Sequence, residues 1–401
     1  MKVIRDPLWN NIRVEPLALR LVDTPEFQRL RYVRQLGLAF LVYPGASHSR
    51  FEHALGAYHL ARRALDLLAE RGDVASGDPA CGDLRVAALL HDIGHYPFSH
   101  ALEEIGALHH EQVARPLITE GRIGAILRDA LGGDAPDRIM ALIQGRSASP
   151  LQGLISGSID LDKIEYLRRD AHMCGVPYGD IDADRLVNSL ALVRAGSGRT
   201  VGIQEKGLSA LESLLFAKYQ MYRNVYWHHA VRSATAMYKR LVSDALDAGS
   251  LSADRLASFT DEGLLLGLEA SGGHPLLSAL RERRLYKRVL EIPAADIAGD
   301  GGEWIAGDWR RVVETENRLA RDLGLRDGEL LLDYPAKTEM LGLSLPVLRR
   351  GGNVEQLTQA GFGGTINLPR LSEDLYRSAR WLRVFAARPV TLDPKRILDL
   401  L

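Results

Sequence analysis

Between residues 85 and 103 the chain reads Arg85-Val-Ala-Ala-Leu-Leu-His91-Asp92-Ile-Gly94-His95-Tyr-Pro97-Phe-Ser-His100-Ala-Leu-Glu103. The nearly uninterrupted apolar run over residues 84–90 predicts a helix surrounded by protein, and Gly94 with the proline that follows must end it. His91 and Asp92 therefore fall on the last turn of a buried helix. A carboxylate there lies at the negative end of the helix dipole and loses hydration, so it needs a cation nearby. We expect the rest of the chain to be organised around this stretch.

Adjacent imidazole and carboxylate groups are typical ligands of a transition metal such as Fe, Mn, Co, Ni or Zn, whereas Mg prefers more oxygen ligands. His91 and Asp92 alone would more often be a chance surface pair, so a metal site needs ligands from elsewhere. A preceding helix, whose apolar face runs over residues 57–68, has His53 at its start. Because one loop joins the two helices, an antiparallel arrangement would bring the start of the first beside the end of the second. His53 is thus a candidate third ligand.

The composition is that of an ordinary soluble globular protein, with 46% hydrophobic and 25% charged residues. The 50 Lys and Arg nearly balance the 51 Asp and Glu, so no overall field attracts the chain to nucleic acid or to an anionic membrane. The two cysteines, Cys81 and Cys174, argue against a disulfide scaffold and against a Cys-rich zinc site. Without a signal-peptide core or an apolar stretch of about 18 residues, the sequence predicts a cytoplasmic protein with no membrane segment.

The length of 401 residues exceeds the usual domain size of about 100 to 200 residues. We expect a mainly α fold, with a helical domain over residues 1–288 and a smaller α+β region over residues 289–401.

Turn signals divide the N-terminal part into elements. Residues 1–16 are predicted to be extended. A helix is predicted to start at Thr24, which can cap it before a proline at the first helical position, and to end at Gly37. Residues 72–83 are rich in Gly, Asp, Pro and Ser and predict a loop before the helix that carries His91.

The second half contains longer patterns. Residues 193–204 predict a hairpin around a Gly-Ser-Gly turn. Residues 208–248 contain no Gly or Pro, which predicts one long or slightly bent helix. The C-terminal region is predicted to place strands around a helix over residues 309–323, and these strands are at about 291–293, 298–302, 330–335 and 381–385.

A third polar stretch covers residues 159–170. Asp162, Tyr166 and Asp170 recur there at four-residue spacing and share one helix face, with Lys163 beside it. A charge ladder of this kind is normally a solvent-exposed face. The apolar residues of the same stretch leave little clear solvent face, which favours a functional role.

Six segments within the first 250 residues, in this order, resemble a known family. They are Asp-Thr-Pro-Glu-Phe-Gln-Arg-Leu-Arg (23–31), Gln-Leu-Gly (35–37), Pro-Gly-Ala-Ser-His-Ser-Arg-Phe-Glu-His (44–53), His-Asp-Ile-Gly-His-Tyr-Pro-Phe-Ser-His (91–100), His-Glu-Gln (110–112) and Asp-Leu-Asp-Lys-Ile-Glu-Tyr (160–166). The set resembles the HD-domain deoxynucleoside triphosphate triphosphohydrolases, which hydrolyse a dNTP to a deoxynucleoside and inorganic triphosphate. The resemblance implies a helical HD-domain phosphohydrolase core.

By position, the resemblance implies a divalent metal ion (Fe, Mn, Ni, Co, Zn or Mg) and four ligands, which are His53, His91, Asp92 and Asp162. It also implies that three catalytic residues surround the attacking water and the leaving group, and these are His95, His110 and Glu103. Glu103 stands where a vertebrate member has Asp.

The resemblance further implies two sets of substrate contacts. Those on the phosphate side are Arg50, His100, Lys163 and Lys218, and those near the sugar hydroxyl and triphosphate are Gln35, Tyr166 and Asp170. Leu36 and Tyr226 match the pair that crowds the 2′ position of the sugar, which would favour deoxyribose. Lys218 replaces an arginine of the vertebrate relative, so the point charge of an ammonium group stands where a planar guanidinium binds the phosphate.

Three further residues, Asp23, Gln28 and Arg31, match the guanine-reading positions of an allosteric nucleotide site between subunits. An Asp can accept from the guanine N1 and N2 hydrogens, and an Arg can bind O6 and N7. The resemblance therefore implies a GTP or dGTP activator and a homo-oligomer, either a dimer or a tetramer. The alternative interpretation of these residues is a helix start with solvated charges.

Two other functions stay open. An HD phosphohydrolase acting on another nucleotide, such as a monophosphate, a ribonucleotide or an alarmone, would keep the metal ligands but would leave Lys163, Lys218, Leu36 and Tyr226 unexplained. A nucleotide-sensing or single-stranded nucleic-acid-binding oligomer is the second alternative, and the balanced charge argues against it.

Overall fold

The computed structural model describes residues 1–75, 77–196, 198–336, 345–357 and 367–401. The fold is mainly α with a smaller sheet-containing C-terminal region, as the sequence predicts. No helix in these ranges is both long enough and apolar enough to cross a membrane.

The α-helices fall into two groups along the chain. Those of the first half are α1 Pro16–Val22, α2 Pro25–Gln28, α3 Arg50–Glu70, α4 Pro79–Leu90, α5 His110–Thr119, α6 Gly121–Leu131, α7 Ala135–Ile143, α8 Leu161–Cys174 and α9 Ala183–Val187. Those of the second half are α10 Leu208–Met221, α11 His229–Asp247, α12 Asp261–Ala270, α13 Pro275–Arg281, α14 Trp304–Gly307, α15 Trp309–Asp322, α16 Leu368–Ala379 and α17 Pro394–Leu398.

In the described ranges, three small sheets accompany the helices. The strands are β1 Lys2–Asp6, β2 Asn10–Val14, β3 Leu190–Ala195, β4 Gly198–Gln204, β5 Lys287–Pro293, β6 Leu330–Asp333, β7 Leu345–Leu348, β8 Val354–Leu357 and β9 Trp381–Ala386. β1 and β2 form the extended opening segment, and β3 and β4 form the predicted hairpin. β4 continues into a sheet of order β3-β4-β7-β8, in which β7 is parallel to β4. The third sheet has the order β5-β9-β6 and is antiparallel.

The core of the first half lies where α3, α4 and α8 pack together. Leu60 of α3, Leu84 of α4 and Ile164 of α8 are fully buried in one apolar cluster. α3 starts at a Ser49–Glu52 pair, in which the Glu52 carboxylate accepts from the Ser49 backbone N–H at 2.5 Å and from its hydroxyl at 2.6 Å. This packing brings the first turn of α3 beside the end of α4, as the sequence predicts.

Two predictions near the N-terminus are wrong in their boundaries. The helix that starts at Thr24 does not reach Gly37, because after α2 and a 3₁₀ turn (Arg29–Tyr32) the chain becomes extended and Arg34 pairs antiparallel with Ser49. The predicted loop over residues 72–83 ends early. Asp78 accepts from the backbone N–H of residue 80 at 2.9 Å and starts α4 at residue 79.

The single helix predicted over residues 208–248 is interrupted. After α10 the chain makes a π-helical turn, Tyr222–Tyr226, and α11 begins again at His229. No Gly or Pro marks the break. It lies at His228, whose backbone is not helical and whose ring accepts a hydrogen bond from the backbone N–H of Ala230 at the start of α11. The predicted strand over residues 298–302 is also wrong, since this Gly-rich segment forms turns.

Gly56 permits a close approach between α3 and α8. A Cβ atom at this position would lie 2.0 Å from Oε1 of Glu165 and 2.9 Å from Nη2 of Arg169. Both side chains are fully buried and bonded to each other. We expect Gly56→Ala to lower the free energy of unfolding by about 1 to 3 kcal/mol, the usual cost of overpacking, and urea denaturation measures it.

The matched control is Gly82→Ala, also inside a helix. Its Cβ would meet a side-chain carbon of Leu131 at 3.6 Å, an ordinary contact. Gain of helix propensity should leave stability unchanged or raise it by up to about 1 kcal/mol. Equal urea midpoints for the two variants would contradict the close approach at Gly56.

Candidate metal centre and active site

Three helices bring four potential metal ligands to one point. His53 lies in the first turn of α3, His91 and Asp92 directly follow α4, and Asp162 lies in the first turn of α8. His53 Nε2 is 2.9 Å from Asp162 Oδ1, 3.2 Å from His91 Nε2 and 3.5 Å from Asp92 Oδ2. His91 Nε2 is 3.4 Å from Asp162 Oδ1 and 3.4 Å from Asp92 Oδ1. The four residues thus converge on one small volume.

Hydrogen bonds behind the two imidazoles orient them. His53 Nδ1 donates to Oε2 of Glu165 at 2.6 Å, and His91 Nδ1 donates to the carbonyl oxygen of Ala88 at 3.0 Å. With Nδ1 engaged behind it, each ring directs its Nε2 toward the cluster. A carboxylate or carbonyl behind a ligating histidine is the usual arrangement at metal sites.

The charges of this donor set fit a divalent cation. Burial lowers the pKa of His53, but its bonds to Asp162 and Glu165 outweigh burial and raise the pKa to about 10. Burial raises the pKa of Asp92, but the charges of Arg50 and His91 outweigh it and hold the pKa well below its usual range. The carboxylates therefore remain ionised and stabilise positive charge at this point. A metal ion is the cation that two imidazoles and two carboxylates bind best.

Asp92 also accepts a hydrogen bond from Arg50, which lies outside the donor set. Arg50 Nη1 donates to Asp92 Oδ2 at 2.5 Å, and Arg50 Nε donates to the hydroxyl of Ser99 at 3.0 Å. Ser99 and the preceding Phe98 both have positive φ, 65° and 57°, a conformation that a bulky residue rarely adopts. The turn is held by the bond from the Phe98 backbone N–H to Asp261. Strained turns of this kind are concentrated at functional sites.

The three predicted catalytic residues lie together beside Asp92. His95 Nε2 is 3.1 Å from Asp92 Oδ1, and the His95 ring stacks on that of His110 with centroids 3.8 Å apart. Glu103 accepts from the His110 ring at 2.8 Å and from its backbone N–H at 3.0 Å. The other Glu103 oxygen is 3.1 Å from Nδ1 of His100, whose side chain is 59% exposed. Gly94 makes this packing possible, since a Cβ there would lie 2.1 Å from the His110 carbonyl oxygen.

Electrostatics keep both stacked histidines neutral. Burial lowers the pKa of His110 to about 4 despite its bond to Glu103, and burial with the charge of Arg50 lowers the pKa of His95 well below its ordinary value. Burial raises the pKa of Glu103, but its bonds to His100 and His110 outweigh burial and hold the pKa far below its usual range. His95 Nδ1 is buried without a hydrogen-bond partner in the part of the chain that the structure describes. The cluster therefore combines an ionised carboxylate with two imidazoles that can accept a proton.

The predicted phosphate-side lysines are not equally placed. Lys163 is held at the start of its own helix, where Nζ donates to the Asp160 carboxylate and, at 3.0 Å, to the carbonyl oxygen of Gly157. Lys218 is buried in α10, with Nζ 5.7 Å from the centroid of the Tyr222 ring. Lys163 would have to exchange these contacts to reach a phosphate.

The predicted sugar-side residues surround Asp170. This carboxylate is buried, and it accepts from Tyr226 Oη at 2.6 Å and from His48 Nε2 at 2.8 Å. Oε1 of Gln35 is buried, and no described residue bonds to it. Leu36, Tyr166 and Tyr226 are partly buried against the main apolar cluster. Tyr226 belongs to the π-helical turn that interrupts the predicted long helix.

The three predicted guanine-reading residues lie close together in sequence and in space. Gln28 Oε1 accepts from Nε of Arg31 at 2.7 Å, and Gln28 Nε2 donates to the Val22 carbonyl oxygen at 2.7 Å. Asp23 follows directly and is exposed. Arg31 is also exposed, with its guanidinium 3.5 Å above the Phe51 ring.

Sequence reasoning missed two residues that the structure places at the site, Glu165 and His48. Glu165 orients His53 and is fixed by Trp9 Nε1 at 2.9 Å and by Arg169 Nε at 2.7 Å. Its spacing of three from Asp162 on one helix was an available signal. His48 lies in a loop far from its partner Asp170 in the sequence, and no local pattern predicts that contact.

We expect His91→Ala and Asp92→Ala to remain folded but to lose bound metal, because each removes a ligand from a set of four. Glu165→Gln should keep the ligands yet weaken metal affinity by about 10- to 100-fold, since it removes the charge behind His53. Elemental analysis and chelator competition with Mn²⁺ measure both effects. The control is Glu70→Gln at the exposed end of α3. Wild-type metal content in His91→Ala would contradict the assignment.

Comparisons with known proteins match two family regions along the chain. The model of the HD domain matches residues 50–146, and that of the HD associated region matches residues 181–361. The first match contains His53, His91 and Asp92. Asp162 lies between the two matches.

Relatives cover different shares of the chain. An uncharacterised protein of Methanocaldococcus jannaschii is 35% identical over 327 residues, which are 81% of this chain and 67% of that protein. The deoxynucleoside triphosphate triphosphohydrolase SAMHD1 of Gallus gallus is 31% identical over 265 residues, which are 57% of this chain and 43% of that enzyme. The chain thus spans two thirds of the first relative and less than half of the second.

A solved structure extends the likeness over nearly the whole chain. The crystal structure of a hypothetical protein from Aquifex aeolicus has a TM-score of 0.74 and 29% identity, and the match covers 96% of each chain. The chain therefore belongs to the HD-domain family, as a member in which the HD domain is followed by the HD-associated region.

Proposed function

We propose that the protein is a metal-dependent triphosphohydrolase that converts a dNTP to a deoxynucleoside and inorganic triphosphate. The observation that carries this proposal is the convergence of His53, His91, Asp92 and Asp162 beside the His95–His110–Glu103 cluster. The likeness to a vertebrate enzyme named for this reaction supports the choice of substrate.

The four converging side chains would hold the metal ion. A divalent cation bound there polarises a phosphoryl group and spreads its negative charge. Fe, Mn, Ni, Co, Zn and Mg all remain candidates, and the two imidazole ligands favour a transition metal over Mg.

The reaction replaces the bond between the α-phosphorus and the 5′ oxygen by a bond from the α-phosphorus to a water oxygen. One proton leaves the water, and one proton reaches the departing 5′ oxygen. His95 and His110 are neutral, and each presents a ring nitrogen that can accept a proton. Either could therefore receive the proton that leaves the water. Glu103 holds the His110 ring and would stabilise the imidazolium that forms, which can then donate to the 5′ oxygen.

The charges around the site would orient the nucleotide. Arg50, Lys163 and Lys218 supply the cations that a triphosphate of about four negative charges needs in a cleft of low dielectric. His100 is the exposed member of the catalytic cluster and would contact the phosphates from the solvent side. The sugar would lie toward Gln35 and Asp170, with Tyr166 between them and the metal ligands, and with Leu36 and Tyr226 facing the 2′ position.

The proposal includes a regulated oligomer. A guanine nucleotide bound by Asp23, Gln28 and Arg31 would lie on an exposed surface of one subunit, where a second subunit of a dimer or tetramer can cover it. A ligand held between subunits stabilises the assembled form by mass action.

The test of the reaction is to incubate the purified protein with Mn²⁺ or Mg²⁺ and each dNTP or NTP, and to separate the products. We expect deoxynucleoside and inorganic triphosphate in equal amounts. The catalytic efficiency on a ribonucleotide should be about 5- to 150-fold lower, since a buried hydroxyl without a partner costs about 1 to 3 kcal/mol. Release of monophosphate or diphosphate, or equal catalytic efficiency on dATP and ATP, would favour an HD phosphohydrolase of another nucleotide.

Regulation has a separate test. We expect GTP or dGTP to raise turnover of dATP or dCTP and to increase the mass of the oligomer measured by light scattering. Arg31→Ala removes the side chain that would read guanine O6 and N7, so it should abolish the activation while metal content stays the same. If neither turnover nor mass responds to GTP, Asp23, Gln28 and Arg31 serve only the start of α2.

A further inference from the structure

The carboxylate of Asp170 is an unusual buried anion. Its side chain is 2% exposed, and no Lys or Arg pairs with it in the described ranges. Its two bonds come instead from the Tyr226 hydroxyl to Oδ2 and from the His48 ring to Oδ1, at 2.6 and 2.8 Å. Each carboxylate oxygen can accept two hydrogen bonds, so one acceptor position on each oxygen is left for a further donor.

His48 is rigidly placed to hold Asp170. The ring is fully buried, and the His48 carbonyl oxygen accepts from the backbone N–H of Gln35 at 3.0 Å, next to the antiparallel bridge between Arg34 and Ser49. Because a carboxylate only accepts, Nε2 must carry the hydrogen of this bond, and the other ring nitrogen is Nδ1. No residue that the structure describes bonds to that Nδ1. The ring therefore has one fixed interaction, the bond to Asp170.

The position of Asp170 defines which end of a nucleotide can approach it. It lies eight residues after Asp162 on the same helix, about 12 Å along the axis from the metal ligand. A buried carboxylate without a cation repels phosphate and binds a hydroxyl donor. The side of the site toward Asp170 thus suits the sugar, and a hydroxyl of the sugar is the donor its free positions can take.

We propose that His48 is a positioning residue that holds Asp170 as the acceptor for the 3′-hydroxyl of the substrate, and so gives the enzyme its preference for a sugar that carries this hydroxyl. The proposal rests on the dNTP triphosphohydrolase function proposed above. His48 acts through Asp170, since its ring is fully buried and its Nε2 is engaged with that carboxylate.

The test compares two variants and two substrates. In His48→Asn the amide nitrogen stands at the level of the ring Nδ1, too short to reach Asp170, whereas in His48→Gln it stands at the level of Nε2. Catalytic efficiency is measured on each dNTP and on its 2′,3′-dideoxy analogue. We expect the ratio of the two efficiencies to fall about tenfold or more in His48→Asn, the size expected for a hydrogen bond to a charged group, and to return to within about threefold of wild type in His48→Gln.

The two substrates distinguish positioning from a general structural role. A merely structural defect lowers activity on both substrates equally and leaves their ratio unchanged, which would overturn the proposal. Equal ratios in His48→Asn and His48→Gln would also overturn it. Thermal melting and metal content are followed for each variant. If His48→Asn does not fold, His48→Ser leaves a cavity that water can enter, and the same fall in the ratio is expected.

The wild-type protein separates this proposal from the one it rests on. If wild type releases no triphosphate from any dNTP, the proposed function fails and the assignment of His48 to the 3′-hydroxyl fails with it. If wild type releases triphosphate but does not distinguish dNTP from dideoxy-NTP, the function stands and the role of His48 alone is refuted.

Discussion

The structure depends on compensating the charges of two carboxylates and two imidazoles that share one small volume. Asp92 is buried and Asp162 is partly exposed, and both lie within 3.5 Å of a histidine nitrogen. Removing a carboxylate from water costs several kcal/mol unless opposite charge or hydrogen bonds replace the hydration. Three helices deliver these groups, and the surrounding residues compensate them. Arg50 donates to Asp92, and Glu165 accepts from His53. The relative placement of α3, α4 and α8 is therefore tied to the chemistry of this point.

The sequence predicts elements well wherever the signal is local. The helices α3 and α8 and the hairpin β3–β4 follow from apolar spacing and from glycine stops. Prediction from the sequence fails where a distant contact determines the backbone conformation. The helix predicted to reach Gly37 ends early because Arg34 pairs with Ser49. The backbone N–H of Arg34 also donates to Asp261, 227 residues away. The π-helical turn before α11 has no breaker residue, and Tyr226 within it bonds Asp170, 56 residues earlier.

The candidate site shows the same limit. The resemblance of six ordered segments predicts four metal ligands, because those residues are chemically distinctive and lie beside recognisable helix ends. The residues that orient them are less distinctive. Glu165 could have been found from its spacing to Asp162, whereas His48 lies in a loop 122 residues from Asp170. A carboxylate can accept from many donors, so only the folded structure selects the one that does.

The C-terminal sheet is physically connected to the cluster of His95, His110 and Glu103. Glu104 follows Glu103 in a 3₁₀ turn, and the guanidinium of Arg232 binds Glu104 at 2.9 and 3.1 Å and Asp333 of β6 at 2.5 and 2.9 Å. Lys239 donates to Glu104 at 2.9 Å, so two cations balance two anions in a largely buried network. Removing one member would leave an uncompensated buried charge, which costs more than the intact pair contributes. The position of Glu103 is thus set partly by a strand beyond residue 288. The division of the chain there, which stays a prediction, therefore does not separate this cluster from the C-terminal region.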